Sequence, residues 1–133
     1  MIVADTNILA YLLIEGDRMP VCREVFQLDS RWATPPLWRS DLRNVLTLYV
    51  RHKSMSPEFA LDRMNEAESI LSEWEYEVDT EMVLDLTKRH PISAYDAEYV
   101  SLAKSIDVPL VTTDKKILRE FKTIATTPEE FVR

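Results

Sequence analysis

Glycine and cysteine are almost absent from this sequence, and each shortage excludes a class of site. Gly16 is the only glycine among 133 residues. The Gly-rich loops that hold phosphates in dinucleotide-binding and P-loop proteins need several glycines close together, so neither class fits. Cys22 is the only cysteine, which excludes an intrachain disulfide and a cysteine-based metal cluster. A reduced, cytoplasmic setting is the expectation that follows.

The sequence also lacks long apolar runs and an excess of positive charge. The longest continuous apolar run, residues 8–14, is far shorter than the ~20 residues that a membrane-spanning helix needs. No basic segment precedes it as in a signal peptide, so we expect neither a membrane span nor a secretion signal. The net charge of -7 argues against nucleic-acid binding through a basic surface. It leaves open a nuclease that uses metal ions, because bound divalent cations reverse the local field.

Short apolar segments alternate with segments of helical periodicity along the whole chain. Strands are predicted at residues 2–4, 32–34, 76–78, 110–112 and 123–125. Helices are predicted at residues 8–14, 20–28, 37–52, 57–74, 80–89, 94–106 and 115–121, with a final capped turn at 127–131. Strands that alternate with helices indicate a parallel sheet, so the prediction is an α/β fold. The length predicts one domain over residues 1–133.

Three aspartates stand where helices are predicted to begin. Asp5 and Asp114 each follow an apolar strand, and Asp96 lies three residues after Ser93. All three have a purely structural interpretation, because Asp is a favoured N-cap residue and Ser93 with Asp96 has capping-box spacing. In an open α/β sheet, however, ligands bind just beyond the carboxyl ends of the strands, where Asp5 and Asp114 would lie.

Asp41 is harder to explain as a cap. It lies about one turn inside the helix that is predicted to begin near Leu37, on the margin of its apolar face. Asp is a poor residue for a helix interior, and a carboxylate near the core needs a partner or a metal ion. The structural alternative is a salt bridge to a nearby arginine, namely Arg39, Arg43 or Arg51.

Taken together, the four carboxylates predict a metal site. Asp5, Asp41, Asp96 and Asp114 lie at strand ends or on helices that a parallel sheet could bring to those ends. Hard divalent cations such as Mg²⁺ take oxygen ligands and keep several waters. Two such ions about 3.5–4 Å apart are a known arrangement for cleaving phosphodiesters. Charge repulsion in the empty cluster would itself favour cation binding.

At these same positions the sequence resembles the PIN-domain nucleases, especially the small VapC-like toxins. The four similar segments are DTNIL at 5–9, PLWRSDLRNVL at 36–46, YDAEYVSLA at 95–103 and LVTTD at 110–114. The closing segment TPEEF at 127–131 is also similar. Each motif alone is weakly specific, but four in register are specific. The resemblance implies an α/β/α sandwich with a central, short-stranded parallel sheet.

The resemblance also implies an activity. The implied activity is RNA cleavage by an endoribonuclease that depends on Mg²⁺ or Mn²⁺. The implied metal ligands are Asp5, Asp96, Asp114 and Asp41. Thr112 stands at the family's hydroxyl position and, with Thr6 and Asn7, would orient the metal ligands. A metal-bound water would attack the phosphorus of RNA. The resemblance further implies a homodimer and a cognate antitoxin whose C-terminal segment occupies the active-site groove.

One residue departs from the family pattern and opens an alternative. The family usually has Glu where this chain has Asp41, and Asp retracts the carboxylate by about 1.5 Å. The alternative function is therefore a PIN-fold binding module that is weakly active or inactive. A second alternative is a phosphoryl-transfer protein phosphorylated on Asp5, with Lys115 and Thr112 beside it. The haloacid-dehalogenase pattern would require a further aspartate at position 7, where Asn7 stands.

Overall fold

The computed structural model, which describes residues 1–133, contains one sheet of four short strands. The strands are β1 (Ile2–Ala4), β2 (Trp32–Ala33), β3 (Leu110–Val111) and β4 (Ala125–Thr126). Their spatial order is β2-β1-β3-β4, and all three neighbouring pairs are parallel. Parallel strands need crossover connections, and helices occupy every connection between successive strands.

Eight α-helices form these connections and the end of the chain. They are α1 (Thr6–Leu13), α2 (Met19–Leu28), α3 (Trp38–His52), α4 (Pro57–Leu71), α5 (Thr80–Arg89), α6 (Ala94–Ile106), α7 (Lys115–Glu120) and α8 (Pro128–Val132). A side-chain oxygen caps the N-terminus of six of them, from Asp5, Ser56, Asp79, Ser93, Asp114 and Thr127. None of the helices has the length and apolarity needed to cross a membrane.

The sheet separates two hydrophobic clusters, because successive strand side chains point to opposite faces. Ile2 and Trp32 pack on one face with α1, α2, α3, α4 and the end of α8. Val3 and Ala33 pack on the other face with α5, α6 and α7. Two helical layers therefore enclose a central parallel sheet, and the predicted α/β/α sandwich is confirmed.

The predicted strand at residues 76–78 is wrong. Only a single bridge, between Thr34 and Glu75, joins this part of the chain to the edge of the sheet. The segment follows a 3₁₀ turn, Ser72–Trp74, in which the long helix predicted over residues 57–74 ends. Tyr76 and Glu77 are exposed, so no buried face holds the segment against the sheet.

Several element boundaries also differ from the predictions, and two of the shifts have a clear local reason. The first helix begins at Thr6 rather than at residue 8, because Asp5 caps it directly after β1. The last strand comprises residues 125 and 126, because the backbone from Phe121 to Ile124 still forms a turn that closes α7. Both shifts are small, and they leave the order of elements unchanged.

Ser93 fixes the start of α6, and its removal should destabilise the fold. Its hydroxyl oxygen accepts from the N–H of Asp96 at 3.0 Å. We expect Ser93→Ala to lower the free energy of unfolding by about 1 kcal/mol, as is typical for a lost N-cap. Ser105→Ala on the same helix is the matched control, because Ser105 is exposed and bonds only back to the carbonyl of Ser101. Urea unfolding of both variants measures the change in the free energy of unfolding. An equal decrease in the two variants would contradict the capping role of Ser93.

Candidate active site

The candidate site lies where the strand order reverses. The chain passes from β1 to β2 on one side and returns to β3 on the other, so β1 and β3 are neighbours. Ala4 pairs with Val111 in register, and Asp5 N–H donates to the Val111 carbonyl at 3.3 Å. Such a switch point opens a crevice at the carboxyl ends of the strands, which is where α/β proteins bind ligands.

Asp5 occupies the end of β1 and is 8% exposed. Its Oδ1 accepts from the N–H of Ile8 at 3.2 Å, which makes it the N-cap of α1. Its Oδ2 accepts from the hydroxyl of Thr112. Both carboxylate oxygens are therefore held by the protein, and the side chain has one fixed orientation at the mouth of the crevice.

Thr112 links the ends of the two central strands. It is completely buried, and while its hydroxyl donates to Asp5, its oxygen accepts from the N–H of Asp114 at 3.0 Å. Asp114 in turn caps α7, since its Oδ1 accepts from the N–H of Ile117 at 3.0 Å. The capping interpretation of Asp5 and Asp114 is thus confirmed, and the same contacts bring the two carboxylates to one place.

Asp96 reaches the site from the first turn of α6, but it is not the cap of that helix. Ser93 provides the cap and accepts from the N–H of Asp96. The Asp96 side chain is partly buried and lines the same pocket as Asp5 and Asp114. Tyr99 follows one turn later and lies at the same pocket.

Asp41 is in the first turn of α3, and its partners differ from the predicted arginines. Its Oδ2 lies within hydrogen-bond distance of two hydroxyls, 2.9 Å from that of Tyr99 and 3.2 Å from that of Thr6. Arg39 instead pairs with Glu68 and Glu75. The salt-bridge alternative for Asp41 is therefore wrong, because none of Arg39, Arg43 and Arg51 forms an ion pair with it.

One pocket of about 210 Å³ collects all four carboxylates. Its lining residues are Asp5, Thr6, Asn7, Asp41, Asn44, Val45, Asp96, Tyr99, Asp114 and Ile117. No role was predicted for Tyr99 or Asn44. Each lies three residues after a predicted metal ligand, and therefore on the same face of the helix as that ligand. A larger groove of about 500 Å³ between α3 and α4 is lined mainly by apolar residues and contains no carboxylate.

The pocket carries negative charge that the chain does not neutralise. None of the four aspartates is in an ion pair. Burial raises the pKa of Asp5 from 3.8 to about 6, against the hydrogen bonds from Thr112 and Ile8, and the charges of Asp114 and Asp96 raise it further. The pKa of Asp96 is also raised, first by burial and then by Asp114.

Comparison with known proteins identifies the family of this fold. The family model described as PIN domain matches residues 2–123, which is most of the chain. The chain belongs to the PIN-domain family. PIN domains are generally nucleases, and they typically use divalent metal ions. No curated protein sequence matches the chain.

Two solved structures share the fold of this PIN domain. One is a chain of a toxin–antitoxin complex from Klebsiella pneumoniae, with 17% identity and a TM-score of 0.70, over 96% of this chain and 98% of that chain. The other is PAE2754 from Pyrobaculum aerophilum, with 20% identity and a TM-score of 0.73, over 99% of this chain and 96% of that chain. At these identities the likeness concerns the fold.

The donor set of the pocket fits a hard divalent cation. Its side chains offer carboxylate oxygens, which are the ligands that Mg²⁺ and Mn²⁺ prefer. None of these carboxylates is in an ion pair with a basic side chain. No three of the chain's acidic, histidine or cysteine side chains converge closely enough, as they stand, to ligate one ion together. Such an ion would therefore use one or two carboxylates directly and water for its remaining positions, which is the usual habit of Mg²⁺.

Asp5→Asn should remove a pH dependence from the stability of the metal-free protein. Because the folded-state pKa of Asp5 lies above its ordinary value, its ionisation disfavours folding. Relative to Asp5→Asn, the wild-type free energy of unfolding should fall between about pH 4 and pH 7. The fall should be on the order of 3 kcal/mol, at about 1.4 kcal/mol per pKa unit.

Urea unfolding in EDTA across this pH range measures the difference. Asp17→Asn, which removes an exposed carboxylate outside the pocket, is the matched control and should run parallel to the wild type. If the free energies of unfolding of the wild type and Asp5→Asn differ by the same amount at every pH, the raised pKa of Asp5 is contradicted.

Proposed function

We propose that this PIN domain is an endoribonuclease that depends on Mg²⁺ or Mn²⁺, and that it is the VapC-like toxin of a toxin–antitoxin pair. The observation that carries the proposal is the meeting of Asp5, Asp41, Asp96 and Asp114 in one pocket without a neutralising cation. Empty, such a pocket would repel a phosphodiester. A divalent cation would reverse the sign of the local field and make the same pocket attractive to RNA.

In this proposal the four aspartates hold the metal, one or two of them directly and the others through its bound waters, and Thr112 orients Asp5. The Thr112 hydroxyl fixes the rotamer of Asp5, so that its carboxylate meets the cation without further reorganisation. A bound divalent cation supplies Lewis-acid stabilisation of the phosphoryl oxygens and lowers the pKa of an attacking water.

The proposed partners follow from the pocket and from the resemblance. RNA is the proposed substrate, and the proposed regulator is an antitoxin whose C-terminal segment enters the pocket. A basic side chain of that segment would pair with the unneutralised aspartates through charge-assisted hydrogen bonds. One of the structurally similar chains is part of a toxin–antitoxin complex, which supports such a partner. A homodimer and a cytoplasmic location belong to the same proposal.

The second candidate function is an inactive binding module, and one observation favours it. Asp41 stands where the family usually has Glu, and its side chain is one methylene shorter. The phosphoryl-transfer alternative has no such support. Lys115, which this alternative places beside Asp5, does not line the pocket that contains Asp5.

Divalent-dependent cleavage of RNA is the direct test of the proposed function. We expect purified protein to cleave a defined set of cellular RNAs with Mg²⁺ or Mn²⁺ and not with EDTA. Asp5→Asn should lower the rate by more than about 100-fold, since a direct ligand should matter at least as much as the outer partners of a metal site. Asp17→Asn should cleave as the wild type does. Cleavage that persists in EDTA or in Asp5→Asn would contradict the proposal, and a single-stranded DNA of matched sequence tests the preference for RNA.

Asp41→Glu separates the two candidate functions. If the natural chain is an active ribonuclease, the wild type already cleaves, and Asp41→Asn lowers the rate by about 10- to 100-fold because a carboxylate is lost from the site. If the natural chain is an inactive module, the wild type does not cleave and Asp41→Glu creates activity. Initial rates at saturating Mn²⁺ for these three proteins decide between the two.

A further inference from the structure

Three oxygen atoms from three different helices meet at one wall of the pocket. The Tyr99 hydroxyl of α6 lies 2.9 Å from Asp41 Oδ2, the Thr6 hydroxyl of α1 lies 3.2 Å from the same oxygen, and the two hydroxyls are 2.6 Å apart. Tyr99 is 4% exposed and Thr6 is 8% exposed. These buried hydroxyls are the only polar side-chain partners of Asp41 within the chain.

The number of protons fixes how this group bonds. Two hydroxyl groups supply two protons, so only two of the three contacts can be hydrogen bonds at the same time. The two shortest contacts form a chain in which Thr6 donates to Tyr99 and Tyr99 donates to Asp41. A donor that is itself an acceptor is polarised and bonds more strongly, so this arrangement strengthens the bond to the carboxylate.

This hydrogen bonding restricts the orientation of the Asp41 carboxylate. With Oδ2 held by Tyr99, the carboxylate cannot rotate freely, and Oδ1 accepts no hydrogen bond from the chain. One oxygen is therefore anchored, and the other stays available to a cation. Tyr99 lies one turn beyond Asp96 on α6, so its hydrogen bond to Asp41 also links the two helices that carry these carboxylates.

We propose that Tyr99, assisted by Thr6, is a positioning residue for Asp41, and that this hydroxyl pair sets how tightly the pocket holds a divalent cation. The proposal rests on the proposed function in that it treats the pocket as a metal site. It adds that Asp41, although shorter than Glu, can bind the cation because the two buried hydroxyls hold its carboxylate in place. Side chains that hydrogen-bond to a ligating carboxylate orient it and tune the affinity for the metal.

A double-mutant cycle with Mn²⁺ alone as the probe tests the inference. We expect Tyr99→Phe to weaken Mn²⁺ binding by about 10- to 100-fold, the usual effect of removing an outer partner. In an Asp41→Asn background the same change should alter Mn²⁺ affinity by less than about 2-fold, because the residue that it positions is gone. Tyr76→Phe, which alters an exposed tyrosine without a side-chain hydrogen bond, is the matched control and should bind as the wild type does. Titration calorimetry measures all five proteins, and thermal unfolding in EDTA verifies that each is folded.

Several outcomes would overturn the inference. A folded Tyr99→Phe variant with wild-type Mn²⁺ affinity would do so. An equal loss of Mn²⁺ affinity in the wild-type and Asp41→Asn backgrounds would also do so, because it would indicate a merely structural role for Tyr99. If Tyr99→Phe does not fold, Thr6→Val, which removes the other hydroxyl, is judged by the same criteria. A wild type that binds Mn²⁺ and obeys the cycle without cleaving RNA would contradict the proposed function and leave the inference intact. A wild type that binds no Mn²⁺ would overturn both.

Discussion

The candidate site is built around a buried carboxylate that has no counter-ion, Asp5, at the end of β1. Asp5 is held where burial and the neighbouring Asp114 and Asp96 all disfavour its charge. The chain offsets this cost with two neutral donors, namely the N–H of Ile8 in α1 and the buried hydroxyl of Thr112. A structure that served stability alone would place a cation or an apolar side chain there.

The capping and metal-binding interpretations of these aspartates are compatible rather than exclusive. Asp5 and Asp114 each use Oδ1 to cap a helix, so the helix N-termini hold the two side chains at adjacent strand ends. Thr112 then connects them through two hydrogen bonds. A residue that secures its own helix is also rigid, and rigidity is what a ligand of a hard cation needs, because less reorganisation is required on binding.

Local features of this fold could be predicted from the sequence, and contacts between distant segments could not. The caps Ser56, Ser93 and Asp114 stand beside the helices that they start, so propensity and spacing were sufficient. The partners of Asp41 are 35 and 58 residues away, and no periodicity connects them. The strand predicted at 76–78 failed for a related reason, since alternation of residue types does not reveal whether a segment has a buried face.

Anomalous scattering from crystals soaked in Mn²⁺ tests the proposed metal site most directly. We expect a manganese peak inside the pocket, within ligating distance of at least one of Asp5, Asp96 and Asp114, and no peak there in Asp5→Asn crystals treated in the same way. An ordered pocket that remains free of manganese at saturating concentration, or an ion bound only elsewhere on the surface, would contradict the proposed metal site.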